Sequence, residues 1–139
     1  IMLGIDCGLR RGEILAARRE NLDIAACTLK LDETKNGFKR LVGLSPRVIE
    51  EIRKLPINID GRIINCPSPD NFFHFYNQLQ KWTGVKKSFH CTRHTFATRC
   101  VEKGWTIQEI SAQGGWRDLR VLKRYTHLSA EHLAKKLGS

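Results

Sequence analysis

The residue types best suited to chemistry fall in three short segments of this chain. They are Gly8-Leu9-Arg10-Arg11-Gly12-Glu13-Ile14, then His90-Cys91-Thr92-Arg93-His94-Thr95-Phe96-Ala97-Thr98, then Gly114-Gly115-Trp116 with Tyr125-Thr126-His127 beginning nine residues after the tryptophan. Arginine carries a planar fork that matches two phosphate oxygens and keeps its proton at neutral pH. Arg10 and Arg93 therefore suit the stabilisation of negative charge that builds on a phosphodiester under attack. Tyrosine is a poor nucleophile unaided, because with a pKa near ~10 only about one phenol in a thousand is ionised at neutral pH. Nearby arginines favour the phenolate, and an imidazole can take its proton. A metal mechanism has less support: Asp6, Glu13, Asp23 and Asp32 form no recognisable carboxylate set. His90 and His94 are four apart, but Cys91 stands where a zincin would need glutamate.

Taken singly, these residues have ordinary readings. Arg10 reads as a helix-start surface residue, His90 and His94 as helix-terminal and core histidines, Trp116 as core, and Tyr125 as a half-buried tyrosine. Their joint order is what carries information. The first segment resembles the G-L-R-x-x-E-[LI] box of the tyrosine recombinase or phage integrase family, and the second its H-x-x-R-H-T-x-A-T box. The third is similar to the family's L-G-[HW] and nucleophilic tyrosine, and Thr34-Lys35-Asn36-Gly37 matches its hairpin lysine. The resemblance spans residues 8 to 127.

That resemblance implies that Arg10, Lys35, His90, Arg93 and Trp116 surround a scissile phosphate while Tyr125 attacks it. A 3′-phosphotyrosyl link and a free 5′-hydroxyl result, and the hydroxyl later attacks the same kind of link on a partner strand. His90 is expected to take or hold the phenolic proton, and Lys35 to protonate the leaving 5′-oxygen. Glu13 should steady Arg10 through an i,i+3 contact, with His94 as a further supporting residue. Arg11, Lys39, Arg40, Lys86, Lys87 and Arg117 are the expected DNA-contacting cations. No metal or nucleotide cofactor is implied, because the phosphotyrosyl bond stores the energy of the broken phosphodiester. The implied partners are double-stranded DNA, further protomers forming a tetramer on it, and accessory DNA-bending or directionality proteins, in a bacterial cytoplasm at the nucleoid. A type IB topoisomerase with the same chemistry, and a DNA-binding module without catalysis, are the alternatives. Three departures stand out: Trp116 occupies a position where most relatives have histidine, so its only donor is an indole N–H. Gly43 stands where proline is common, and Gly114-Gly115 replaces a pair with a bulkier first residue.

The elements that must position these groups can be read from periodicity and turn signals. Residues 10–17 suit a short helix, and Thr28 to Asp32 alternates as a half-buried strand able to pair with Phe38 to Leu44. Asn36-Gly37 between them is a strong hairpin signal and puts Lys35 at the tip. Ser45-Pro46 and Ser68-Pro69 open helices, the second carrying an aromatic stripe of Phe72, Phe75, Tyr76 and Leu79 that reads as core. Ile63-Ile64 reads as a short strand. Further helices are expected over His90–Lys103, Thr106–Ala112 with a Thr106/Glu109 capping box, Asp118–Arg124 and Ala130–Leu137. The fold class is α+β and mainly α-helical, a tyrosine recombinase catalytic-domain fold with a small antiparallel hairpin or sheet.

Size and charge agree with this reading. The 139 residues suit one domain with a real core. The chain reads as a single catalytic domain, the C-terminal fragment of a longer integrase without its N-terminal DNA-binding domain. No apolar run approaches the roughly 20 residues of a membrane span. The five cysteines, Cys7, Cys27, Cys66, Cys91 and Cys100, lack C-x-x-C spacing and read as reduced core thiols. Net charge is +10, and the excess is uneven: residues 1–80 hold 12 Lys and Arg against 10 Asp and Glu, residues 81–139 hold 12 against 4. A polyanionic partner follows, and nucleic acid fits it best.

Overall fold

A computed structural model describes residues 1–32, 39–126 and 130–139. Its elements are α1 (Met2–Cys7), α2 (Arg11–Ala16), β1 (Leu22–Asp23), β2 (Thr28–Leu31), β3 (Arg40–Gly43), α3 (Pro46–Lys54), α4 (Pro69–Thr83), α5 (Cys91–Glu102), α6 (Ile107–Gly114) and α7 (Ala130–Leu137). Short 3-10 segments cover Arg19–Asn21 and Leu119–Tyr125. The helix starts follow from local chemistry. Ser45 accepts a hydrogen bond from the Val48 amide and Ser68 one from the Asn71 amide, each before a proline that has no amide hydrogen to lose. Thr106 and Glu109 form the reciprocal capping box expected of them.

The three strands make an antiparallel sheet in the order β1-β2-β3, with Leu29 opposite Val42. Leu29, Leu31 and Val42 point inward and meet Leu3 and Cys7 of α1 and Val48, Ile49 and Ile52 of α3 in one apolar core. A second core gathers Phe96, Ala97, Cys100, Ile110 and Leu122, with Trp116 and Tyr125 packed on its edge. Helix α5 joins the two. Its Thr92 lies so near Gly4 that a Cβ there would come within 2.3 Å of the Thr92 hydroxyl. Phe96 covers Gly8, which ends α1 with φ 73° and leaves only 2.6 Å between a would-be Cβ and the ring. The polar residues of interest lie along this seam.

Several expectations change. Residues 22–23 are not among the strands expected, yet they form the third strand of the small antiparallel sheet. Ile63-Ile64 is no strand: Ile63 donates to Ala17 O, and the adjacent pairing is a single Arg18–Arg62 bridge. Residues 119–125 wind as a 3-10 helix and not an α-helix. In the aromatic stripe, Phe72 and Tyr76 pack on Phe89, whereas Phe75 is 61% exposed. Cys7, Cys66 and Cys100 are buried free thiols, but Cys27 and Cys91 are only half-buried. Lys35, the Asn36-Gly37 turn, Phe38 and His127 lie outside the described residues.

Candidate active site

Arg10 precedes α2, and Arg93 sits in the first turn of α5, 83 positions later in the chain; both reach the turn that ends α6. Arg10 Nη2 donates to the Gly115 carbonyl at 2.7 Å, and Arg93 Nη1 donates to the adjacent Gly114 carbonyl at 2.7 Å. Arg93 also donates to Gly8 O, which ties the end of α1 to the end of α6 through one guanidinium. Arg93 is 2% exposed, and its buried Nε has no partner among the described residues. Burial, with Arg10 and Arg40 close by, pulls its pKa down from 12.5 to about 9, so it remains charged at neutral pH at a standing electrostatic cost. An anion drawn to it would relieve that cost.

Glu13 answers part of this positive charge. Its side chain is 2% exposed and accepts from the Arg10 amide at 2.8 Å, from Arg10 Nη1 at 3.2 Å and from Arg40 Nη2 at 3.0 Å. The expected Glu13–Arg10 contact is therefore present, but Arg40 is the closer partner. This corrects the reading of Arg40 as a DNA-facing hairpin cation: its side chain is 6% exposed and bonds Glu13 and the Gln113 carbonyl. Strand alternation is the signal that marks it, since Arg40 shares the inward face of β3 with Val42. Burial alone would raise the Glu13 pKa, yet the hydrogen bonds and charges of Arg40 and Arg10 outweigh it and hold the carboxyl below its usual 4.5. Two guanidiniums thus bond one carboxylate, whose charge also acts on Arg93. Gly115, with φ 71°, makes room for both, because a Cβ would stand 2.7 Å from Arg40 and 3.0 Å from Arg10.

Trp116 lies beneath Arg93, whose guanidinium carbon is 4.1 Å from the ring centroid, and stacks on Phe96. Gly114 is what admits it: a Cβ on Gly114 would be 2.1 Å from the indole. The two departures at 114 and 116 therefore belong together. Gly114→Leu alone is expected to lose about 1–3 kcal/mol by overpacking. Gly114→Leu with Trp116→His should recover most of it in urea melts, and equal losses in single and double variants would separate the two positions.

His90 is exposed at the start of α5, with its ring 5.1 Å edge-to-face from His94. Burial first, then Arg93, His94, Arg10 and Arg124, lower its pKa. The Tyr125 hydroxyl is half-buried and touches His94 Nδ1, not His90. Of the remaining cations, Lys39, Lys86, Lys87 and Arg117 are exposed, whereas the Arg11 guanidinium lies 4.5 Å over the Phe73 ring and pins α2 to α4. Gln113 is a residue that sequence patterns did not mark: it clamps β3 through both the amide and the carbonyl of Gly43 and donates to Cys7 O. Among the described residues, no group of three or more His, Cys, Asp or Glu is placed to hold a metal, and no helix is long and apolar enough to cross a membrane.

The model of the Phage integrase family matches residues 1–132. The chain belongs to the phage integrase family. Among integrase-family relatives, the shufflon-specific DNA recombinase of Escherichia coli is 35% identical over 138 residues, covering 99% of this chain and 36% of that protein. The tyrosine recombinase XerA of Saccharolobus solfataricus is 27% identical over 96% of this chain and 46% of its own length. This integrase-family chain thus spans about a third to a half of those curated relatives. The catalytic domain of bacteriophage HP1 integrase has the same fold, with a TM-score of 0.75 at 19% identity over 98% of this chain and 77% of that one. So does the Tn1549 transposon integrase in complex with circular intermediate DNA, with a TM-score of 0.75 at 17% identity over 99% of this chain and 57% of that one.

Proposed function

We propose that this chain is the catalytic domain of a site-specific tyrosine recombinase that integrates or excises a prophage or other mobile element. The observation that carries the reading is the meeting of Arg10 and Arg93 on successive carbonyls of one turn, with an excess of positive charge and a histidine-bound tyrosine alongside. In the proposed reaction those guanidiniums stabilise the charge on the nonbridging oxygens of a DNA phosphate. Tyr125 Oη bonds to phosphorus, the P–O5′ bond breaks, and the 5′-oxygen leaves as a hydroxyl. Lys35 is the proposed donor of its proton, by resemblance. In this reading His90, exposed and acted on by the charges of both arginines, takes or holds the phenolic proton, and Trp116 supports Arg93 from below. Lys39, Lys86, Lys87 and Arg117 contact the flanking backbone in this reading, with Arg11 alongside. Double-stranded DNA is the substrate, and four protomers act on two duplexes, with accessory DNA-bending or directionality proteins. The work is intracellular, at the nucleoid, without a metal or nucleotide cofactor, and the full protein carries a second, N-terminal DNA-binding domain.

The test is covalent trapping on a panel of nicked suicide duplexes. A detergent-stable protein–DNA adduct is expected, joined to the 3′-phosphate, and absent from Tyr125→Phe. Binding without an adduct on any duplex would leave only a DNA-binding module.

A further inference from the structure

We infer that Gln113 is a positioning residue for the strand-cleaving arginines, acting through the turn whose carbonyls hold them. This rests on the recombinase reading above. Three successive carbonyls at the end of α6 each accept from a different arginine: Gln113 O from Arg40 Nε at 3.2 Å, Gly114 O from Arg93 Nη1 at 2.7 Å, and Gly115 O from Arg10 Nη2 at 2.7 Å. A helix end leaves such carbonyls without helical partners and carries partial negative charge, so it attracts guanidiniums. Where those guanidiniums stand in the fold then depends on what holds the turn. The turn is one piece, since the amides of Gly115 and Trp116 both close on the Ser111 carbonyl, at 2.7 and 3.2 Å.

The Gln113 side chain ties that piece to two other elements. Its amide pairs with the Gly43 peptide on the edge strand β3 as a neighbouring strand would, Oε1 accepting from Gly43 N at 2.9 Å and Nε2 donating to Gly43 O at 2.8 Å. Nε2 also donates to Cys7 O at 2.9 Å. Cys7 O is next in the chain to Gly8 O, which accepts from Arg93, so the Gln113 and Arg93 side chains run as two struts from the end of α1 to the end of α6. Without the amide, the arginines would have to hold the turn that positions them. The departure at residue 43 gains a role here. A proline has no N–H to give Gln113, whereas space does not demand glycine, because a Cβ at Gly43 would stand an ordinary 3.6 Å from Oε1.

Single-turnover adduct formation at saturating protein tests this, on a nicked suicide duplex and on a second duplex in which methyl replaces one nonbridging oxygen of the scissile phosphate and removes its charge. Gln113→Leu keeps the bulk of the side chain and loses the amide. On the phosphate duplex it should form adduct about 10-fold to 10²-fold more slowly than wild type, the effect of a shift of about 1 Å in a positioned group. Its DNA Kd should change less than about threefold, because the phosphate-contacting cations on the surface are untouched. On the neutral duplex, where there is less charge for the arginines to stabilise, the rate gap should narrow to about threefold or less. Gly43 is exposed at a sheet edge, where proline is tolerated. Gly43→Pro should therefore fold and be slowed in the same sense, Gly43→Ala, which keeps the N–H, should be faster than Gly43→Pro, and the Gln113→Leu/Gly43→Pro pair should be no slower than Gln113→Leu alone. Gly43→Pro on the two duplexes carries the same test should Gln113→Leu fail to fold. A wild-type rate in Gln113→Leu, an equal gap on both duplexes, or losses that multiply in the pair overturn the assignment while leaving the Tyr125 adduct in place. No adduct from wild type on any duplex would strike the recombinase reading instead.

Discussion

Glu13→Ala is expected to destabilise the fold by about 3–5 kcal/mol, because it strands buried positive charge. The carboxylate is the described anion that Arg10 and Arg40 share, and both its oxygens accept from them. Glu13→Gln should lose less, since an amide oxygen still accepts. The effect has a pH signature. The carboxyl titrates below 4.5 in the fold, so its stabilisation is complete above pH 4.5 and fades as pH falls through the folded value. Urea melts from pH 7 downward should therefore show the gap between wild type and Glu13→Ala closing in acid. A gap under about 1 kcal/mol at pH 7, the size of an exposed pair, would mean that the three-arginine cluster does not depend on this anion.

Arg93→Lys is expected to lower the rate of adduct formation about 10²-fold to 10³-fold, the loss typical of one donor aimed at a developing oxyanion. Lysine keeps the charge, but a single ammonium on a flexible stem cannot hold Gly8 O and Gly114 O in one plane, nor stack flat on Trp116. DNA affinity and its salt dependence should change far less than the rate, because the exposed lysines still meet the backbone. An equal fall in affinity and rate would make Arg93 a binding residue only.

Much of this arrangement was legible in the amino-acid order. Arg10, Arg93, Trp116 and Tyr125 sit in spaced boxes, and the serine–proline pairs mark two helix starts to the residue. What escaped is tertiary. Arg40 looked like a hairpin cation because it directly follows Lys39 after the expected turn, although its alternation with Val42 already pointed it inward. Spacing alone cannot say which of two histidines, one helical turn apart, meets a phenol arriving from another element. Phe75 shares a helical stripe with core aromatics, but α4 packs only one narrow face against Phe89, and the stripe is wider than the contact. Residues 119–125 carry helical spacing, and local propensity does not distinguish 3-10 from α winding at that length.

That last element bears on how the tyrosine can travel. Seven consecutive residues in 3-10 form exceed the three or four that such winding usually sustains, and its hydrogen bonds are poorer than those of an α-helix. Only Leu122 roots the segment deeply in the second core. Tyr125, the proposed nucleophile, stands at the far end of this weakly bonded segment, whereas Arg93 ties the arginine turn to α1, α5 and α6 at once, so a change in what presses on residues 119–126 is expected to move Tyr125 before it moves the arginines.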